Sequence, residues 1–190
     1  MQLFIALLRA VNASGHNKIV MADLRAACDE LGWHEVQSYI QSGNLIFQAD
    51  KEAAVLEGEL EEMIAGRFGL TVPVMVRTAV QWAAYLNDNP YPQASQQEPN
   101  RVMLALSKEP PNPNAVSELR QYATGSERIT QIRDALWIHF GDGAGKSRLS
   151  PAVFDRLVGS PVTMRNWRTV VKLGELSTAR KPDLLRETVS

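Results

Sequence analysis

Cysteine is nearly absent. The 190-residue chain has one, Cys28, so no internal disulfide can form and a reducing, cytoplasmic compartment fits. Histidine is scarce as well: His16, His34 and His139 stand far apart, and no Cys/His cluster has the spacing of a metal site. The sequence therefore implies no metal and no cofactor. No apolar run nears the ~20 residues that a membrane helix needs. The start, MQLFIALLRAVN, has no basic segment before its short apolar stretch, so neither a membrane span nor a signal peptide is expected. The signatures HExxH, GxSxG and CxxC are all missing, so covalent or metal-assisted hydrolysis has little support. Net charge is −1, which predicts neither a nucleic-acid coat nor an acidic scaffold.

What is there can build a core. Hydrophobic residues make up 45% and charged residues 22%, which excludes general disorder. Charge is uneven: residues 1–100 carry 6 basic and 12 acidic side chains, residues 101–190 carry 14 and 9. The acidic excess centres on Glu57, Glu59, Glu61 and Glu62, which read as a solvated helix face. The basic excess lies between Arg128 and Lys172, with eight basic residues against three acidic ones. Ordinary surface charge explains it as readily as a binding surface does.

Hydrophobic spacing predicts strands at 2–8, 36–40, 44–48 and 71–77 and helices near 21–31 and 51–68. A short helix at 78–87 follows. The scheme repeats with strands at 101–107, 126–133, 135–140 and 161–164 and helices at 114–122 and from Ser150 to Gly159. A last helix is capped by Asn166. The order βαββαβ, met twice, predicts an α+β protein of two ferredoxin-like units with mainly antiparallel sheets in the order 4-1-3-2. The units are expected at 1–87 and 101–177, each with helices on one sheet face. A proline-rich linker is expected at 88–100 and a frayed tail at 178–190. No residue-by-residue repeat is evident between the halves.

This topology makes a geometric statement. Strands 1 and 2 end on the same edge, and strand 3 returns beside strand 1. Arg9, Asn12, Asn17, Lys18, Gln41, Ser42 and Asn44 should therefore meet. Such amides and arginines suit an oxygen-rich anion, since arginine donates in a fork and amides orient it. They are also ordinary turn formers, and Arg9 and Asn12 would equally satisfy buried carbonyls. The loop GDGAGKSRLS (141–150) adds Lys146 and Arg148 to a glycine-rich, anion-compatible stretch, although its spacing is not that of a Walker A loop. The segment TMRNWRTVVKL (163–173) adds Arg165, Asn166, Arg168 and Lys172, with Trp167 read as core. His139 reads as a satisfied or solvent-facing side chain and Cys28 as inert core.

Three blocks carry a resemblance. LLRAVNASGHNKIVMADLR (7–25), VQSYIQSGNLIF (36–47) and TMRNWRTVVKL (163–173) closely resemble the DUF 1697 family of mainly bacterial proteins. The family pattern runs LLRGxNxGGxNxxxM, then xTYIQSGNxxF, then TxRNWxTVxKL. The matching positions include Arg9, Asn12, Gly15, Asn17, Met21, Tyr39, Gln41, Ser42, Gly43, Asn44, Lys146, Thr163, Arg165, Asn166, Trp167, Thr169 and Lys172. Ala10 and Ser14 depart from the pattern, which has glycine there, and His16 stands where lysine is common. The resemblance implies an α+β fold with ferredoxin-like parts and supplies no activity, substrate or catalytic residue. Three classes of function follow: a binder of a phosphorylated or other anionic ligand or of nucleic acid, a small-molecule enzyme, and a dimerising module without ligand.

Overall fold

The structure, a computed structural model, describes residues 1–179. The first unit runs β1 (Gln2–Leu8), α1 (Met21–Glu30), β2 (His34–Ser38), β3 (Asn44–Ala49), α2 (Ala53–Phe68) and β4 (Val74–Thr78). Two helices, α3 (Ala79–Asp88) and α4 (Pro92–Gln97), lead to the second unit. That unit runs β5 (Val102–Ser107), α5 (Ala115–Tyr122), β6 (Glu127–Ile132), β7 (Ala135–Phe140), α6 (Pro151–Val158) and β8 (Val162–Asn166), and α7 (Trp167–Thr178) follows. Each unit has a four-stranded antiparallel sheet, ordered β2-β3-β1-β4 and β6-β7-β5-β8. The two ferredoxin-like units are thus present, with Leu7 opposite Asn44 as the topology requires. No described helix is long and apolar enough to cross a membrane. The predicted tail falls largely on residues 180–190, outside the described residues.

Local chemistry sets the helix boundaries. Ser150 accepts from the Val153 amide, Pro151 opens α6 and Gly159 ends it in the left-handed region. Asn166 accepts from the Thr169 amide and starts α7, while Thr78 and Gln81 form a capping box at α3.

Two expectations are corrected. The sheets are not covered by helices on one face only. Phe4, Ala6 and Leu8 pack towards α1 and α2, but Ile5 and Leu7 pack into a second core shared by both units. That shared core includes Met75, Leu104 and Trp137 from the sheets, Trp82 and Tyr85 from α3, and Val170 and Leu173 from α7. A strand buried on both faces shows an unbroken apolar run rather than alternation, as QLFIALL does. The segment 88–100 is likewise no open linker. Pro92 opens α4, Tyr91, Ala94 and Ser95 are buried, and the Tyr91 hydroxyl lies 2.8 Å from Thr130 Oγ1.

The loop after β1 is conformationally costly. Ala10, Asn12, Ser14 and Asn17 all adopt positive φ, between 47° and 54°. Asparagine tolerates this region, alanine and serine less so. Ala10→Gly is expected to raise stability by roughly 0.5–1 kcal/mol, after the entropy glycine loses on folding. Urea unfolding of the two proteins checks it; an Ala10→Gly protein less stable than the parent would contradict the strain.

Candidate functional site

The units are joined by a set of contacts that occurs twice. Within each unit the residue after the opening strand is held alike: the Arg9 amide donates to Pro73 O at 3.0 Å, and the Lys108 amide donates to Pro161 O at 3.1 Å. The Arg9 side chain pairs with Asp155, whose other oxygen accepts from the Val162 amide at 2.9 Å. Lys108 Nζ donates to Glu61 at 2.6 Å, and the same carboxylate accepts from the Val74 amide at 2.9 Å. Arg77, on β4, reaches Ser107 O at the end of β5, at 3.0 Å. Arg165, on β8, reaches Leu8 O at the end of β1, at 2.9 Å. Each closing strand thus holds the opening strand of the other unit. The sequence carries a faint trace of this duplication, PVMVRT (73–78) against PVTMRN (161–166), too short to stand out without the structure.

The two copies differ in charge. Arg77 faces two carboxylates, Asp134 at 3.0 Å and Glu57 at 3.5 Å. Arg165 faces none among the described residues. Its acceptors are Asn44 Oδ1 at 2.6 Å, Thr163 Oγ1 and Met164 O at 2.8 Å, and the carbonyls of Leu8, Ser42 and Gly43. All five guanidinium N–H groups therefore have neutral partners. Arg165 is only 9% exposed, and burial lowers its pKa to about 10.

The strand edges differ in the same place. An antiparallel edge strand directs alternate amides out of the sheet. On β4 the outward amides of Val74 and Val76 are accepted by Glu61 and Glu57. On β8 the Val162 amide is accepted by Asp155, but no side chain among the described residues accepts the Met164 amide that follows in the same parity. Glu61 and Asp155 correspond, and one helical turn earlier Glu57 is matched by Pro151. Glu57 and Glu61 are consequently not a solvated helix face, as their sequence run suggested; both terminate a strand edge, and Glu57 is buried.

Where the second Glu57 would stand, the structure has a cavity of about 480 Å³. Ile40 and Ser42 line it from the first unit. The second unit supplies Met103, Phe140, Leu149, Phe154 and Met164 as apolar wall, and Ser147, Ser150, Asn166 and Thr169 as polar wall beside Arg165. Among the described residues, no His, Cys, Asp or Glu lines it. Ile40 has φ 50°, a costly conformation for a β-branched residue, and holds the Gln41–Gly43 turn at the rim.

The predicted site residues sort accordingly. Arg9 and Arg165 do meet, since Arg165 binds the carbonyl next to Arg9, but both fasten the joint. Asn12 donates to Ile19 O and Gln41 O and accepts from the Ile19 amide, so it holds the loop. Asn17 accepts from the Asn12 amide through its carbonyl. Asn44 is fully buried and donates to Tyr39 O and Ser42 Oγ. Ser42, Arg165 and Asn166 line the cavity. Lys18 and Gln41 are exposed. Lys146, Arg148, Arg168 and Lys172 are exposed and do not line the cavity, although the first three are next in sequence to residues that do. His139 is satisfied by Arg128 at 3.0 Å and Glu98 at 3.1 Å, and Cys28 is buried with its pKa pushed up to about 12. Sequence reasoning missed Pro151, the Met164 amide and the apolar wall, because they matter only through their counterparts in the other unit.

The whole architecture has a solved counterpart. A structure described as that of conserved bacterial protein SP0830 from Streptococcus pneumoniae is similar with a TM-score of 0.72, at 23% identity, over 93% of this chain and 98% of that one. At that identity the likeness concerns the fold. No curated protein matches the sequence. The late block 163–173 lies beyond the span matched by a family model, which ends in β7. That match covers residues 1–137 and is described as Protein of unknown function (DUF1697), and the chain belongs to this family.

Proposed function

We propose that the protein binds a small anionic ligand in the cavity between its two units, in a reducing, cytoplasmic setting. One observation carries this reading: Arg165 is buried beside the cavity with no counter-charge, while its counterpart Arg77 has two carboxylates. A buried charge without an opposite charge is costly, and an anion in the adjoining space would lower that cost. The Met164 amide, which no side chain among the described residues accepts, and the hydroxyls of Ser150 and Thr169 offer donors to the same anion.

A thermal-shift series of the full chain against small carboxylates, sugar phosphates, nucleotides and neutral analogues tests this. Anions that fit should raise the melting temperature with concentration, reaching about 2.7 kcal/mol of added stability at a hundredfold excess over Kd. If no anion shifts the transition, the reading fails. The nucleic-acid alternative rests on the exposed Lys146, Arg148, Arg168 and Lys172. It requires oligonucleotide affinity to fall by about a thousandfold or more between 50 and 200 mM salt for a footprint of six or more phosphates.

A further inference from the structure

We propose that the group held in this cavity is a single carboxylate attached to an apolar body. The inference rests on the anionic-ligand reading and narrows it. The molecule carries its own template on the other side of the joint. There the Glu57 carboxylate accepts from the Val76 amide at 2.8 Å, lies 3.5 Å from Arg77 and 3.2 Å from Lys108. On the cavity side the matching amide is that of Met164, the matching guanidinium is that of Arg165, and Pro151 leaves the carboxylate position unfilled. A ligand carboxylate placed there would take the Met164 amide as Glu57 takes that of Val76, and would set a counter-charge beside Arg165, whose N–H groups are already bonded to neutral acceptors.

Charge fixes the number of negative groups. One buried guanidinium faces the cavity, and no second Lys or Arg among the described residues lines it; Arg9 is paired with Asp155 as its counterpart Lys108 is with Glu61. A dianionic phosphate would bring one charge more than the walls compensate. Surface chemistry fixes the rest: Met103, Phe140, Phe154 and Met164 have no hydrogen bond to offer and suit an aliphatic or aromatic group. At about 480 Å³ the space is of the size that takes a small molecule rather than a polymer.

The free acid and the carboxyl end of a peptide share this chemistry. Calorimetric titration of the full chain with 3-phenylpropionate and with N-acetylphenylalanine separates them, with 3-phenylpropanamide and inorganic phosphate as controls. At least one acid should bind ten times more tightly than the neutral amide, and phosphate should not displace it. Only N-acetylphenylalanine binding would assign the peptide source, and 3-phenylpropionate binding the free acid. In methyl NMR of the unmutated protein, the acid should shift the signals of Met103 and Met164 and leave those of Met21, Met63 and Met75 in place. Pro151→Glu, which supplies the missing carboxylate from within, should remove binding while the protein stays folded. Phosphate or nucleotide binding without acid binding would overturn the carboxylate assignment and leave the anionic reading standing. Silence from every anion would sink both. Acid binding that leaves the two methionine signals unmoved, or that persists in a folded Pro151→Glu protein, would overturn the site.

Discussion

Arg165→Met is expected to lower unfolding free energy by about 3 kcal/mol, read as a fall in the urea midpoint at unchanged slope. Two effects oppose each other. Removing a buried cation without a counter-charge relieves its desolvation cost. Against that, the carbonyls of Leu8, Ser42 and Met164 and the Oδ1 of Asn44 lose this donor at once, while Gly43 O keeps the Leu8 amide. A buried acceptor left without a partner costs roughly 1–3 kcal/mol, and methionine offers none. The losses outnumber the single gain, so destabilisation wins. Arg165→Lys should recover less than half, because an ammonium cannot reach acceptors arranged around a planar fork. A change below about 1 kcal/mol for Arg165→Met would show that the joint does not depend on this residue.

Trp82→Ala should cost still more, roughly 3–5 kcal/mol. Trp82 is fully buried in the core shared by the two units, and its indole N–H donates to Val170 O of α7 at 3.0 Å. Truncation leaves a cavity, removes the second donor of that helical carbonyl and loosens the contact of α3 with α7. The neighbourhood cannot collapse freely, since α7 approaches so closely that a Cβ on Gly174 would stand 2.5 Å from Leu86 Cδ1. Trp82→Phe keeps the ring volume in part and should recover more than half of the loss. Differential scanning calorimetry checks both variants, and a Trp82→Ala protein melting within about 3 °C of the parent would contradict the shared core.

Much of the fold is legible because local chemistry and periodicity agree. Ser150 with Pro151 and Asn166 before Trp167 marked two helix starts where the structure has them. His139 reads from the sequence as a satisfied or solvent-facing side chain, and on β7 it is held by Arg128 and Glu98. The site was legible in part. Topology alone brought Arg9 to Asn44 and the Gln41–Gly43 turn, and those residues do converge. Their role was not legible. Whether Arg165 points at a ligand or at Leu8 O depends on how two sheets stack, which no local pattern encodes. For the same reason Glu57 read as a surface charge although it caps a strand edge.

Contacts made twice across one joint have the form of a contact between two identical molecules, where residue i meets j and j meets i. The second unit alone holds an Arg165 to reach a partner's Ser107 carbonyl, and a Lys108 to meet a partner's Asp155. Two copies of it would present these cross-joint cations and acceptors, with Ala135 where the first unit has Asn44. Such a homodimer would carry the open position next to Pro151 twice, once for each arginine. This chain carries it once, because Glu57 fills the other. Joining unlike halves in one polypeptide thereby turns a symmetric pair of pockets into one vacancy and one permanently occupied reference.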